Sequence, residues 1–366
     1  MIRIGLVLLV MFGAACTDRT AAPLVPFATQ IGTPYRILTA TTRVETQAGI
    51  FGRDRQAEVS FLDLTVTVPP EHRPGRMRVG HANPDPERHF VMAGQERLPG
   101  ETAFRAALRD ALTGLPPTER ETTIFVHGYN NSFADGAFRM AQIMRDFELP
   151  GAAMHFSWPS ATNPLGYVHD RDSVLMARDG FERTLREVAA AGPERTLLVG
   201  HSMGTLLIME TLRQIEIADP GWARRNLSGV ILISPDIAVD LFKTQADRFA
   251  ALPRPFAIFV SERDRALRLS ARLTGVTNRL GSLNKAEEVA NLPVTLVDIS
   301  AFDGGPLNHF TAGTSPALIQ LLSRARDLDA AFQQDRAGQS GLLPGTVLTV
   351  RNATQLILSP GLVLQN

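Results

Sequence analysis

The chain reads as an α/β protein with a mostly parallel central sheet, helices on both faces and antiparallel strands at the N-terminal end. Two observations predict this. Six short runs, TTIFVHG (122–128), AAMHFSW (152–158), RTLLVGH (195–201), SGVILIS (228–234), PFAIFVS (255–261) and VTLVDIS (294–300), alternate with helical stretches. Several are near-continuous Val, Ile, Leu and Phe, as expected of parallel strands covered on both faces. Before them, FLDLTVTV, MRVGHA and HFVM lie between Phe61 and Met92 and are separated by Pro-containing turns such as PPEHRPG, which reads as an antiparallel lead-in.

The helices follow from spacing. In ETAFRAALRDALTGL, Phe104, Ala107, Leu108, Ala111 and Leu112 fall on one face at helical period. The connection from Pro235 to Arg254 has room for one helix, IAVDLFKTQADRFAAL with Ile237, Leu241 and Phe242 inward, and for no large cap domain. The body is expected over residues 36–326, with 61–92 as its lead-in, and residues 327–366 form a tail with two weak strand-like pieces, TVLTV and QLILS.

Composition narrows the function. The 366 residues are 44% apolar and 20% charged, which suits a cored protein rather than a disordered one. Lys plus Arg and Asp plus Glu are equal at 37 each, with no basic cluster to neutralise phosphates, so nucleic acid is not an expected partner. The single cysteine, Cys16, excludes intramolecular disulfides and thiolate metal clusters. His81 and His89 bracket HANPDPERH at a spacing that matches no zinc pattern, so no metal and no organic cofactor is expected.

The N-terminus reads as an export signal over residues 1–15: one charge at Arg3, then an apolar run from Ile4 to Phe12 too short to span a bilayer. Gly13, Ala14 and Ala15 before Cys16 resemble a bacterial lipobox, which implies cleavage and lipidation of Cys16. Thr17, where lipoproteins retained at the inner membrane carry Asp, points to a periplasm-facing outer-membrane lipoprotein. Residues 16–35, with Pro23, Pro26 and Pro34, read as an extended tether.

Chemistry in parallel α/β sheets gathers at the carboxyl ends of the strands. One such end holds Gly200-His201-Ser202-Met203-Gly204, a GxSxG turn between a strand and a helix, which makes Ser202 the candidate nucleophile. Another holds His127-Gly128-Tyr129-Asn130-Asn131, where Gly128 allows close backbone approach. The backbone N–H groups of Tyr129 and Met203 are the candidate oxyanion donors, and His127 reads as a structural histidine. Seven of the eight histidines, ending with His201, precede Ser202, so His309 in DGGPLNHF is the candidate base. The acid is Asp264 in SERD, by its place one strand ahead of His309, or else Asp236 in SPD, which also reads as a helix cap; Glu262 and Asp303 are outsiders.

Taken together, HGYNNSFADGAFRMAQ, FSWPS (156–160), GHSMGTLLIMETL, SPDIAVDLF (234–242) and VSERDRALRLS (260–270) resemble a bacterial α/β-hydrolase family of unknown function often found as exported lipoproteins, over about residues 60–325. The resemblance implies the α/β-hydrolase fold and a triad on Ser202, Asp264 and His309. It implies no substrate. The expected activity is a serine hydrolase acting on a small-molecule ester or related acyl bond, with the membrane as partner through the anchor. A non-catalytic envelope binding protein on the same scaffold, or an amide or thioester hydrolase, is the alternative.

Overall fold

A computed structural model describes residues 22–275, 278–283, 285–323, 347–350 and 353–357. In chain order the elements are β1 (Thr33–Gln47), β2 (Ile50–Val68), β3 (Val91–Leu98), α1 (Gly100–Thr113), β4 (Glu121–Val126), α2 (Phe133–Asp146), β5 (Ala152–Ser157), α3 (Tyr167–Ala191), β6 (Arg195–His201) and α4 (Met203–Ala218). They continue with α5 (Trp222–Asn226), β7 (Gly229–Ile233), α6 (Val239–Ala246), β8 (Phe256–Val260), α7 (Arg265–Thr274), β9 (Thr295–Asp298), α8 (Thr311–Thr314), β10 (Val347–Val350) and β11 (Ala353–Ile357).

All the described strands join one sheet in the order β10-β11-β9-β8-β7-β6-β4-β5-β1-β2-β3. From β11 to β1 every neighbouring pair is parallel, while β2, β3 and β10 are added antiparallel. All six residues of β4 and all six of β5 are buried, which is why these strands lack polar alternation. One face of the sheet is covered by α1, α3, α4 and α6 through Phe104, Leu108, Phe181, Leu207 and Phe242. The other face is covered by α2 through Phe133, Phe138 and Met140, and by Leu318 of the helical stretch 316–323. Between β7 and β8 stands only the short α6, with no cap domain.

The N-terminal third departs from the sequence expectation. The expected antiparallel lead-in begins with a strand that the sequence reading placed partly in the tether: β1 pairs in parallel with β5, Ile37 opposite Ala153 through Thr41 opposite Ser157. MRVGHA is not a strand and contributes one bridge, Val79 with Phe90. Prolines at 69, 70, 74, 84 and 86 surround it, each lacking the N–H that a ladder needs. HFVM marks only the start of β3, which runs on through the polar AGQERL.

Residues expected to be tether are likewise packed from Ala22 onward. Pro26 opens a short 3₁₀ helix, Pro26–Gln30, the position where its missing N–H costs nothing. Ala28 is buried against Val91 and Ala93, and Val25 N–H donates to Met92 O at 2.9 Å. Because Met92 lies opposite Val66, and Val66 opposite Tyr35 near the start of β1, this segment sits at the amino end of the parallel strands. At the far edge, the two weak pieces of the tail form β10 and β11, and β11 extends the sheet beyond β9. The expected signal, Cys16 and most of the tail lie outside the described residues.

Phe181 of α3 is fully buried with its ring 4.5 Å from that of Phe156 of β5. Phe181→Ala is expected to lower unfolding free energy by about 3–5 kcal/mol, read as a shifted urea midpoint. Val168→Ala, on the same helix but 75% exposed, should change it by no more than about 0.5 kcal/mol.

Candidate active site

The site begins with a backbone conformation. Ser202, between β6 and α4, has φ 52° and ψ −122°, outside the regions most non-glycine residues adopt. The turn is held by Ser202 N–H to Ile233 O at 2.9 Å, while Ser202 O accepts from Thr205 N–H at 3.1 Å and Asp236 N–H at 3.3 Å. The flanking glycines are there for space: a Cβ on Gly204 would come within 2.3 Å of His127 O, and one on Gly200 within 2.7 Å of Ile208 Cδ1.

The loop after β4 lies directly on this turn. A Cβ on Gly128 would stand 2.8 Å from Ser202 Cβ and 2.9 Å from His201 Nδ1. Asn131 Nδ2 closes the loop by donating to Gly128 O at 3.1 Å and Tyr129 O at 2.9 Å. Ser132 and Asp135 then start α2 with a reciprocal capping box. Among the described residues, the backbone N–H groups of Tyr129, half-buried, and Met203, fully buried, have no acceptor.

The third and fourth strand ends bring the acid and the histidine. Asp264, fully buried, caps α7 through Oδ1 to Leu267 N–H at 2.9 Å, and its Oδ2 meets His309 Nδ1 at 2.8 Å. His309 is fixed from the other side as well: His201 Nε2 donates to its backbone carbonyl at 3.1 Å, and the two rings lie 4.7 Å apart. His201 precedes Ser202, so the histidine–aspartate pair and the serine share one corner. No hydrogen bond joins Ser202 to His309 in this structure, a gap that often closes only when substrate is present.

Asp236 is engaged elsewhere. Its carboxylate accepts from the Tyr167 hydroxyl at 2.9 Å and the Ser270 hydroxyl at 2.6 Å, and it faces Arg279 at 3.5 Å. Glu262 and Asp303 are exposed, and Asp303 accepts from Gly305 N–H at 3.1 Å. His89 belongs to a turn, with Nδ1 accepting from Asp85 N–H at 2.9 Å. Among the described residues no group of His, Asp and Glu side chains is arranged to hold a metal ion.

Sequence reading missed the residue that holds the loops together. Arg43 of β1 is fully buried, and its guanidinium donates to Ser157 Oγ at 2.9 Å, Gly52 O at 2.9 Å, Ser160 O at 3.2 Å and Asn131 O at 2.8 Å. It thereby ties the loops after β4 and β5 to the lead-in strands. Burial pulls its pKa down to about 10 despite the carboxylates of Asp170 and Asp135. Asp170, also buried, gathers Ser160 Oγ at 2.5 Å and Ala161 N–H at 2.6 Å. A lone arginine in TATTRVET gives no periodic signal, and its role appears only once β1 is paired with β5.

His127 has the structural place expected of it. Its Nδ1–H donates to Gly128 O at 2.8 Å, its ring stacks on Trp158 at 4.9 Å, and its carbonyl accepts from Trp158 Nε1–H at 2.7 Å. Burial first, then the charge of Arg43, holds it well below the usual histidine pKa. The same two causes lower His155 to about 3. Burial, then neighbouring His309, lowers His201.

The elbow, the sheet order and the acid–histidine pair at adjacent strand ends define an α/β hydrolase. The chain belongs to the family described as alpha/beta hydrolase of unknown function (DUF900), whose model matches residues 101–326. No curated protein matches it. Solved structures with similarity include Est1E from Butyrivibrio proteoclasticus, at 11% identity over 62% of this chain and 93% of that one with a TM-score of 0.37. An esterase of Pyrococcus furiosus matches at 13% identity over 87% and 98% with a TM-score of 0.34. Fungal esterase from Rhizomucor miehei matches at 12% over 85% and 87% with a TM-score of 0.36. Likeness at these levels assigns neither substrate nor residue roles.

The buried His127 and His155 and the half-buried His201 set a pH dependence. Their folded pKa values lie below the ordinary 6.5, so below that pH the unfolded chain binds more protons than the folded one. Stability is therefore full above about pH 6.5 and lost as pH falls, by up to about 1.4 kcal/mol per pH unit for each histidine. For His155 the loss continues to about 3. Denaturant midpoints at about pH 7.5 and about pH 5 should differ accordingly; equal midpoints would mean these rings are not held neutral.

Proposed function

We propose that this chain is a serine hydrolase that cleaves an ester or related acyl bond of a small molecule through an acyl-enzyme. The observation that carries the reading is the 2.8 Å bond from His309 Nδ1 to Asp264, in the same corner as a serine at positive φ. The two backbone N–H groups without acceptors, on Tyr129 and Met203, support it further.

In this reading the Ser202 Oγ–H bond breaks as Oγ bonds to the substrate carbonyl carbon, and the proton passes to His309 Nε2. Asp264 keeps Nδ1 protonated, so that Nε2 is the free base, and stabilises the imidazolium. The carbonyl oxygen takes up negative charge beside Tyr129 N–H and Met203 N–H, which are already oriented and need not leave other partners. As the carbonyl re-forms, the bond from its carbon to the leaving group breaks, His309 gives its proton to that group, and the acyl group stays on Ser202 Oγ. Water, deprotonated by His309, then bonds to the acyl carbon, and the acid leaves as the carbon–Oγ bond breaks and His309 returns the proton to Ser202 Oγ. No step calls for a metal or organic cofactor.

Ser202→Ala is expected to abolish labelling by a fluorophosphonate probe and hydrolysis of an acyl ester, with an unchanged melting temperature. Probe labelling absent in the parent protein would point instead to a binding protein on a hydrolase scaffold. Asp264→Asn should lower kcat by about 10⁴ because it favours the wrong histidine tautomer. Asp236→Asn, which disturbs Tyr167, Ser270 and Arg279, should appear mainly as lost stability. The reverse pattern would move the acid to Asp236.

The placement we propose is an exported, periplasm-facing outer-membrane lipoprotein, anchored through Cys16 after loss of residues 1–15. The lipobox-like run before Cys16 supports it, and several acyl chains together would hold where one binds only marginally. Cys16→Ser should abolish incorporation of a fatty-acid analogue and release the protein into the soluble fraction. An unlabelled, soluble parent protein would overturn the anchor.

A further inference from the structure

The helix that carries the acid has an unusual outer face. On α7, Leu267 and Ser270 are buried, while Arg265, Arg268, Leu269, Arg272 and Leu273 are exposed. At helical spacing these five positions fall within an arc of about 140°. A water-facing helix surface normally mixes both signs of charge and leaves its leucines on the inner side. This one combines aliphatic and cationic side chains and has no carboxylate.

The face continues into two neighbouring segments. Arg265 N–H donates to Leu307 O at 2.9 Å, which places the loop ahead of His309 against the start of α7. The Tyr167 hydroxyl meets Ser270 Oγ on the buried side of α7 at 2.8 Å, so the start of α3, which carries Val168 and is preceded by Leu165, packs against this helix. Leu165, Val168, Leu269, Leu273 and Leu307 are 56–92% exposed. All five stand on segments bonded to one another around Asp264 and His309.

The charge is uncompensated. Among the described residues the side chains of Arg263, Arg265 and Arg268 bond backbone oxygens, of Ser300, Pro306 and Arg263 respectively. Among the described residues none of these three, nor Arg272, has an ion-pair partner. Glu262 and Asp303 in the flanking loops and Asp172 near the start of α3 are exposed carboxylates, and the four arginines outnumber them.

We propose that this rim docks on the surface of an anionic lipid bilayer. Aliphatic side chains would enter the boundary between headgroups and acyl chains, while the arginines extend to the phosphates around them. Charge complementarity selects this occupant over a neutral apolar partner. Docking is independent of the hydrolase reading. If that reading holds, docking brings the mouth of the site to acyl esters carried in the surface, and amphiphilic esters are its substrate class.

The test uses the full chain with Cys16→Ser, so that an introduced cysteine is the only one. Leu273→Cys and, separately, Leu165→Cys are labelled with an environment-sensitive fluorophore; Leu24→Cys, at the amino end of the strands, is the reference. Vesicles of phosphatidylcholine with phosphatidylglycerol should shift the emission of both rim labels to the blue and leave the reference unmoved. Phosphatidylcholine alone or high salt should give no shift. Arg268→Glu with Arg272→Glu should weaken binding by roughly 100-fold or more at an unchanged melting temperature.

Several outcomes would overturn the proposal. Silent rim labels on anionic vesicles would do so, as would a shift at Leu24→Cys alone, which would put the amino end on the membrane. A shift with neutral vesicles that ignores the charge reversal would remove the electrostatic basis. A shift that grows with protein concentration without vesicles would assign the face to a second copy of the chain. Because no reading depends on turnover, failure here leaves the fluorophosphonate result intact, and the reverse.

Discussion

The candidate site depends on how closely three backbone segments approach at the carboxyl ends of β4 and β6. Ser202 can hold a positive φ because α4 starts almost in contact with the end of β4, and that contact exists only without side chains at Gly128 and Gly204. In the same approach Tyr129 N–H and Met203 N–H have no acceptor among the described residues. Strain, missing Cβ atoms and unpaired donors are thus one arrangement seen from three sides. Each would be a cost in an ordinary turn.

A second layer keeps that arrangement in place with an unusual material, a buried positive charge. Arg43 spreads its hydrogen bonds over β1, β2 and the loops that follow β4 and β5. Its charge, together with burial, keeps the two histidines beside it neutral. Neutral rings can pack as flat, partly apolar plates: His127 stacks on Trp158, and His155 sits where a Cβ on Gly136 would strike it at 2.1 Å. The guanidinium therefore fixes the loops directly, through hydrogen bonds, and indirectly, through the protonation of what they rest on.

How much of this was legible follows from which forces leave a local trace. Six of the parallel strands were readable because burial on both faces demands long apolar runs, and β4 to β9 lie where those runs stand. The elbow at Ser202 was readable because a turn of that shape demands glycines at fixed positions. β1 was not, since its Thr-rich TATTRVET gains its burial from β5 and β2, far away in sequence. MRVGHA failed in the opposite sense: its apolar residues suit a strand, but the surrounding prolines deny it a ladder. Asp264 and Asp236 have similar sequence settings, and what separates them in the structure is the bond from His309 to Asp264 together with the engagement of Asp236 by Tyr167, Ser270 and Arg279.

The packing of residues 22–30 beside Met92 fixes where the N-terminal arm leaves the body: at the pole of the sheet opposite the strand ends that hold Ser202 and His309. Six residues from Cys16 to Ala22 reach at most about 20 Å, less than the span of a molecule of this size. A lipid on Cys16 would therefore moor the protein like a buoy, with its working end turned away from the membrane that holds it. Whatever ester such a molecule meets would arrive from the opposite side, in solution or on a facing surface, and the anchoring bilayer would serve as an address rather than a source of substrate.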